Sequence, residues 1–331
     1  MSDISTNFLV SAPVPVNKIT AGNADVLVYN NPDDMGLATA ISIAKKQVEL
    51  VGKNGYTSIM IMAAPAAFPF YRAYVGLAKV SKDLQAAIRK TLFFQFDDYP
   101  LPAHHPATFR FLLAQHLYIP LADYINPGNV YPFNVDAKDA AAECRRYTKL
   151  VLSYGPDLQV KGQGEDSHWG FHQPGMKLKT VPAYVKIGLN KMNTAQQMRD
   201  HPGMFPTAKS VPTVAYSANV ALFMKTRMLL EDNVPQASKA FALLASFGNN
   251  SIDDICPSGQ LKTHKHAVAR TTSAAAWALL EYRRKKIVTR ESMKKLDNIW
   301  YTENDPEVTE SKRAFMRSAF KKLKIKYEDY L

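Results

Sequence analysis

The chain has 331 residues, 47% of them hydrophobic, and sets 41 lysines and arginines against 29 acidic side chains for a formal charge of +12. That length supports a large core in one domain or two, one being the simpler, and the charge permits phosphate-bearing partners; yet the basic residues are scattered without a zinc-finger or RNA-recognition signature, which argues against nucleic acid. Cys144 and Cys256 make neither a disulfide framework nor a metal cluster, no signal peptide opens the chain and no apolar run approaches the ~18 residues of a membrane helix, so a soluble, reduced, cytoplasmic protein without membrane contact is expected.

Residues 1–16 mix Ser, Thr, Pro and isolated apolar residues and read as an irregular arm. Val26-Leu27-Val28-Tyr29 reads as a first strand. A helix capped by Asp33 or Asp34 follows to about Leu50, with Leu37, Ile41, Ala44 and Val48 on one stripe. Residues 57–62 are a continuous apolar strand suited to burial on both faces. A turn over 63–69 and a helix from about Phe70 complete a strand-turn-helix repeat, the mark of βαβ units.

A third strand, 91–96, runs directly into Asp97-Asp98-Tyr99-Pro100. Carboxylates at the tip of an apolar strand stand where a ligand meets an α/β sheet. Either aspartate is a candidate general base if its neighbours tune its pKa, and either is equally a cap or turn former. His104-His105-Pro106 leads into a helix bearing Phe109, Leu112, Leu113, His116 and Leu117; no i, i+4 partner or carboxylate cluster completes a metal site there, and His116 reads as a core or rim residue. Residues 137–154 are a helix written by Ala140, Cys144, Tyr147 and Val151, ending at Gly155. Glu143, Arg145, Arg146 and Lys149 read as its solvated face.

A short strand ending at Val160 then delivers the loop Gly162-Gln163-Gly164-Glu165-Asp166-Ser167-His168-Trp169-Gly170-Phe171-His172-Gln173-Pro174. Two glycines allow backbone to approach a ligand, and Asp166 stands two residues from His168, where a bent loop turns both toward one cavity and the carboxylate fixes the imidazole tautomer. The same residues also make an ordinary turn with solvated charges. Residues 175–204 show weak periodicity and read as a lid over the site or as a plain long excursion. Lys209 and a strand near 212–216 follow, the lysine being a point charge suited to phosphate or merely solvated. Residues 240–247 read as a helix or helix-to-strand passage, a helix through Ala274, Trp277 and Leu280 closes on Arg283-Arg284-Lys285-Lys286, and 311–326 reads as a terminal helix with Met316, Ala319, Phe320 and Leu323 on one stripe. The expected organisation is an irregular arm over 1–20, an α/β domain over 21–290 and a helical extension over 291–331 packed on the body.

Between about Val26 and Leu280, five motifs resemble the glucosamine-6-phosphate deaminase family, within the wider group that includes 6-phosphogluconolactonases. The central loop is similar to the family's Gly-x-Gly-x-Asp-Gly-His-x-x-Phe-Asn-Glu-Pro, Phe94-Gln95-Phe96-Asp97-Asp98-Tyr99 to Phe-Asn-x-Asp-Glu-Tyr, and His105-Pro106-Ala107-Thr108-Phe109 to His-Pro-x-Ser-Tyr. Glu143-Cys144-Arg145-Arg146-Tyr147 matches Glu-Cys-Arg-x-Tyr, and the stretch from Gly259 to His264 resembles a later Leu-Gln-x-His. The resemblance implies a Rossmann-like three-layer α/β/α fold with a mostly parallel sheet. It implies an aldose-to-ketose isomerisation that expels ammonia without a cofactor, acting on a small-molecule sugar or sugar phosphate, often in a homo-oligomer. It makes Asp97 the base between C1 and C2, His168 with Asp166 the ring-opening pair, and Lys209 a phosphate ligand.

The departures are equally specific. Gln173 stands where the family has a glutamate of the ring-opening set, and an amide carries no proton. His172 replaces an asparagine, Ser167 a glycine, and Tyr184 the expected position of a phosphate arginine. Pro65-Ala66-Ala67-Phe68-Pro69 replaces the phosphate loop Thr-Gly-Gly-Thr-Pro, losing two glycines and a hydroxyl. The candidate catalytic set is therefore Asp97, Asp166, His168 and Gln173, and the candidate substrate-binding set Ala66, Ala67, Phe68, Gly164, His172 and Lys209. The substrate is a glucosamine 6-phosphate or an altered relative of it; a non-catalytic sugar sensor and a sugar-lactone hydrolase are the alternatives.

Overall fold

The structure, a computed structural model, describes residues 10–300 and 306–330. Its strands are β1 (Asn17–Ala21), β2 (Ala24–Tyr29), β3 (Thr57–Ile61), β4 (Thr91–Gln95), β5 (Asp97–Asp98), β6 (Val130–Tyr131), β7 (Leu158–Lys161), β8 (Tyr184–Gly188), β9 (Val214–Ala218), β10 (Leu229–Val234) and β11 (Ala267–Thr272). The helices are α1 (Pro32–Asn54), α2 (Phe68–Val80), α3 (Lys82–Arg89), α4 (Phe109–Leu113), α5 (Ala140–Tyr154), α6 (Lys191–Asp200), α7 (Val220–Phe223), α8 (Ala240–Phe247), α9 (Ser273–Lys285), α10 (Arg290–Trp300) and α11 (Pro306–Lys322). Of the stretch expected to be an irregular arm, residues 1–9 lie outside the described residues and 17–20 belong to β1, which pairs antiparallel with β2.

Eight strands form one sheet in the order β1-β2-β11-β10-β7-β3-β4-β6, parallel except at β1, with helices flanking it in the expected α/β/α arrangement. Chain order reverses between β3 and β7. From β3 the chain moves outward to β4 and β6, and from β7 it moves the other way to β10 and β11. The crevice at the carboxyl ends of two such strands is where an open α/β sheet binds its ligand. A second sheet, β5-β9-β8, stands beside that crevice and continues directly from β4.

The interior strands are dry. Every residue of β3, β4 and β7 is buried, as their apolar runs require of a sheet covered on both faces. β10 is buried from Leu230 to Val234 but carries Glu231, Asp232 and Asn233. Each finds a partner: Glu231 takes a two-pronged contact from Arg270 at 2.8 and 3.0 Å and Asp232 pairs with Lys161 at 3.0 Å, both on neighbouring strands, and Asn233 accepts from Thr39 on α1 at 2.6 Å. Buried charge is tolerated only with such partners.

Candidate active site

The crevice between the β3 and β7 ends holds a pocket lined from four strand ends: Met62 to Ala66 after β3, Asp97 after β4, the Gly162–Gly164 turn and His168 after β7, and Gln236 and Lys239 after β10. Helix α6 closes it with Gln196, Gln197 and Asp200, and His201 follows. Residues 175–204 thus contain β8 and α6, and the latter forms a wall of the pocket.

Asp97 and Asp98 divide the two roles open to them. Asp98, fully buried, accepts from the backbone N–H of Tyr99 (2.9 Å), Phe109 (2.8 Å) and Arg110 (3.0 Å) and from the Gln95 amide (2.7 Å). It anchors the start of α4, as a carboxylate at a helix N-terminus does. Burial pushes it up to about 6, against the pull of those four donors. Asp97 is 4% exposed and faces the pocket. Burial first, and then the neighbouring Asp98 charge, raise its carboxyl well above the usual carboxylate range.

The loop after β7 is shaped around His168. Gly164 accepts the imidazole against its bare Cα, since a methyl there would lie 1.9 Å from the ring. Gly170, at φ +56°, leaves room for Asp97, whose Oδ2 would stand 3.0 Å from an added Cβ. His168 Nδ1 donates to Asp166 Oδ1 at 2.7 Å and its backbone N–H donates to the same oxygen at 3.1 Å. That bond fixes the tautomer and leaves Nε2 as the ring's reactive nitrogen. Burial acts to raise Asp166, but the imidazole, those hydrogen bonds and Lys239 outweigh it, holding the carboxyl below the ordinary range. Ser167, standing where the resemblance places glycine, adopts φ +70°.

Gln173, near the far end of this loop, does not line the pocket. Its Nε2 donates to the Gly188 carbonyl at 2.7 Å and its Oε1 accepts from Asn190 N–H at 2.9 Å, clipping the loop to the β8–α6 connection. An acid at this position lacks the donor that Gly188 receives. His172, expected to bind substrate, is buried with both ring nitrogens used: Nε2 donates to Met176 O (3.2 Å) and Nδ1 accepts from Val220 N–H (3.2 Å). Burial lowers its pKa, as a neutral structural histidine requires.

The expected phosphate groups scatter. Lys209 is exposed and stands outside the pocket. Tyr184 is buried in an aromatic cluster with Phe133 and Tyr147, its hydroxyl donating to the Gln95 carbonyl. In the loop over 65–69, Ala66 lines the pocket, Ala67 is buried beneath it, and Phe68 stacks on His116 with centroids 4.1 Å apart. The lysine that does reach the pocket is Lys239, 4% exposed at the start of α8. Sequence reasoning missed it because the strand before it, β10, is disguised by buried charge. A lysine one turn past that strand end, Gln236-Ala237-Ser238-Lys239, was the available sign.

Glu165, the remaining acid of the loop, is buried beside α6. It forms an ion pair with Arg199, and its backbone N–H donates to Gln196 at 2.9 Å. Beneath the loop, Lys161 lies 4.5 Å over the Trp169 ring and donates to Ser258 at 3.2 Å. Gln163 donates to Asp232 at 2.5 Å and accepts from Ser246 at 3.0 Å. These bonds hold the Gly162–Gly164 backbone from below. Among the described residues no group of three or more His, Cys, Asp or Glu side chains is placed to hold a metal, and no helix is long and apolar enough to cross a membrane.

No protein-family model matches the chain. It is 27% identical over 230 residues to glucosamine-6-phosphate deaminase 1 of Giardia intestinalis, covering 69% of this chain and 82% of that protein. It is 26% identical over 270 residues to the glucosamine-6-phosphate deaminase of Pseudarthrobacter chlorophenolicus, covering 80% and 89%. Among solved structures, a monomeric glucosamine-6-phosphate deaminase superposes with a TM-score of 0.65 at 23% identity, over 76% of this chain and 98% of that one. A 6-phosphogluconolactonase from Trypanosoma cruzi superposes with a TM-score of 0.60 at 15% identity, over 78% and 97%. The structural likenesses establish the fold.

Proposed function

Since the chain is a divergent member of the group that holds glucosamine-6-phosphate deaminases and 6-phosphogluconolactonases, we propose that it is an aldose-ketose isomerase of an amino sugar that releases ammonia. One observation carries the reading: a buried carboxylate of raised pKa, Asp97, shares a pocket with an imidazole whose tautomer is fixed by Asp166. Moving a proton between adjacent carbons needs a base stronger than a solvated carboxylate, and burial beside Asp98 makes Asp97 one.

In this mechanism His168 Nε2 takes the proton of the anomeric hydroxyl and delivers one to the ring oxygen, opening the sugar. Asp97 then removes the C2 proton, the aldehyde oxygen takes a proton from water, which is made good when water adds at C2, and an enolamine forms. Asp97 returns its proton to C1, leaving an iminium at C2. Water adds there and ammonia departs, so that aldosamine and water become ketose and ammonia. Asp166 acts through His168, stabilising the imidazolium that forms during ring opening. No step calls on Gln173, which supports residues 188–190.

Lactone hydrolysis would also employ His168, but it has no need of a buried second carboxylate of raised pKa. The test is ammonia release from a panel of aldosamines and their 6-phosphates. The wild-type chain is expected to release ammonia from at least one, and Asp97→Asn to lose that activity by roughly 10²–10⁴-fold, the usual worth of a positioned base. Silence of the folded wild type across the panel, or turnover that survives in Asp97→Asn, overturns the reading.

A further inference from the structure

We propose that the pocket takes an amino sugar that carries no phosphate monoester, an inference that rests on the amino-sugar reading above and narrows its substrate class. A phosphate dianion brings only acceptors at neutral pH, and it is held where N–H groups and cations converge. The end of this pocket is built the other way.

The loop over 65–69 offers almost nothing to an anion. Pro65 and Pro69 have no N–H, Ala67 N–H donates to Ala64 O at 2.8 Å, and Phe68 N–H donates to Pro65 O. Ala66 is left as the one backbone donor within that loop, and its methyl occupies the space that a bare glycine would leave. Three of the four side-chain amides lining the pocket are engaged as well: Gln163 donates to Asp232 (2.5 Å), Gln196 to Asp200 (3.1 Å) and Gln197 to Asn193 (3.3 Å).

Charge points the same way. Lys239 reaches the pocket, but Glu165, Asp166 and Asp200 stand within electrostatic range of it or of one another, and the second cation, Arg199, is paired with Glu165. Two cations against three carboxylates do not draw a dianion out of water. Acceptors, in contrast, are in surplus. Gln236 Oε1, buried without a hydrogen-bond partner, and Asp200 both line the pocket. Hydroxyl and ammonium groups supply the donors such a wall lacks, and phosphate oxygens do not.

The experiment is calorimetric titration of the full chain with 2-amino-2-deoxyglucitol, an open-chain analogue that cannot isomerise, with its 6-phosphate, and with inorganic phosphate. The expected result is at least ten-fold tighter binding of the unphosphorylated aminoglucitol and no competition from phosphate. Equal or tighter binding of the 6-phosphate, or displacement by phosphate, overturns this inference and leaves the isomerase reading standing. Failure of both aminoglucitols to bind overturns the two together. Tight binding of the unphosphorylated analogue by a chain that releases no ammonia from any aldosamine upholds this inference and removes the isomerase reading.

Asp200→Asn provides a second arm. Removing its charge is expected to narrow the ratio between the two analogues several-fold. A fold defect would weaken both alike, and a ratio that does not move contradicts the charge argument.

Discussion

Asp97 illustrates how a site residue works against the stability of its own fold. Its carboxyl is raised well above the ordinary range because burial and Asp98 both disfavour the anion. Below about pH 4 the proton is bound in folded and unfolded chains alike, so the residue has no effect. As pH rises toward the raised native value, the unfolded chain releases a proton that the native chain keeps, and stability falls. Above that value the whole penalty of a buried anion is present. Asp97→Asn is therefore expected to be inactive yet more stable near pH 7, by on the order of 1–3 kcal/mol, with the gain vanishing near pH 3. Urea unfolding at both pH values reads this directly, and a variant no more stable than wild type at pH 7 contradicts the buried-anion account. Ser167 is a smaller case of the same kind. Held at φ +70° beside the imidazole, it bears a steric cost of about 1 kcal/mol that glycine does not. Ser167→Gly should raise stability by up to that amount with His168 left in place, and a loss of stability would show that its buried hydroxyl has a compensating role.

Helix α6 is the element whose placement decides the pocket, and Gln173 fixes where it starts. With the amide donating to Gly188 and accepting from Asn190, the residue before α6 is tied to the loop after β7. Gln173→Glu sets a carboxylate oxygen against the Gly188 carbonyl and is expected to cost about 2–4 kcal/mol, with weaker ligand binding because α6 carries Gln196, Gln197 and Asp200. Unfolding and titration measure the two effects. A variant that gains activity instead would show that this position works as an acid. The glutamine was legible in the sequence only as a missing acid; its service as a clip depends on a strand and a helix that the Lys-, Asn- and Gln-rich stretch from 175 to 204 does not announce. Strands β2, β3, β4 and β7 and helices α1, α5, α9 and α11 were legible because their burial is written in apolar residues. β10 and β11 were not, because Glu231, Asp232, Asn233 and Arg270 look solvated until the strands that neutralise them are side by side. Lys239 was lost with β10, and Lys209 was taken in its place.

At the scale of the whole molecule, α8 joins the site to the far end of the chain. Each of its residues is buried. Leu243 and Phe247 belong to the main core, whereas Phe241, Leu244 and Ala245 pack with Met293, Leu296, Met316, Phe320 and Leu323 in a second cluster built from the C-terminal helices. Lys239 sits at the first turn of this shared wall. If 291–331 is an extension packed on the body, as we propose, it shares its core with α8 and also packs against α6, so the chain should unfold in one transition. Phe320 is fully buried, with the Phe241 and Tyr327 rings each centred 5.4 Å away. Phe320→Ala is expected to cost about 3–5 kcal/mol and to move that single transition as a whole. Its effect should reach the pocket through α8, weakening ligand binding although Phe320 lines no part of the site. Urea unfolding followed both by tryptophan fluorescence and by far-ultraviolet dichroism tests the coupling. Coincident curves shifted together uphold it, and an early transition in one probe alone would show that the C-terminal helices fold as a separate unit.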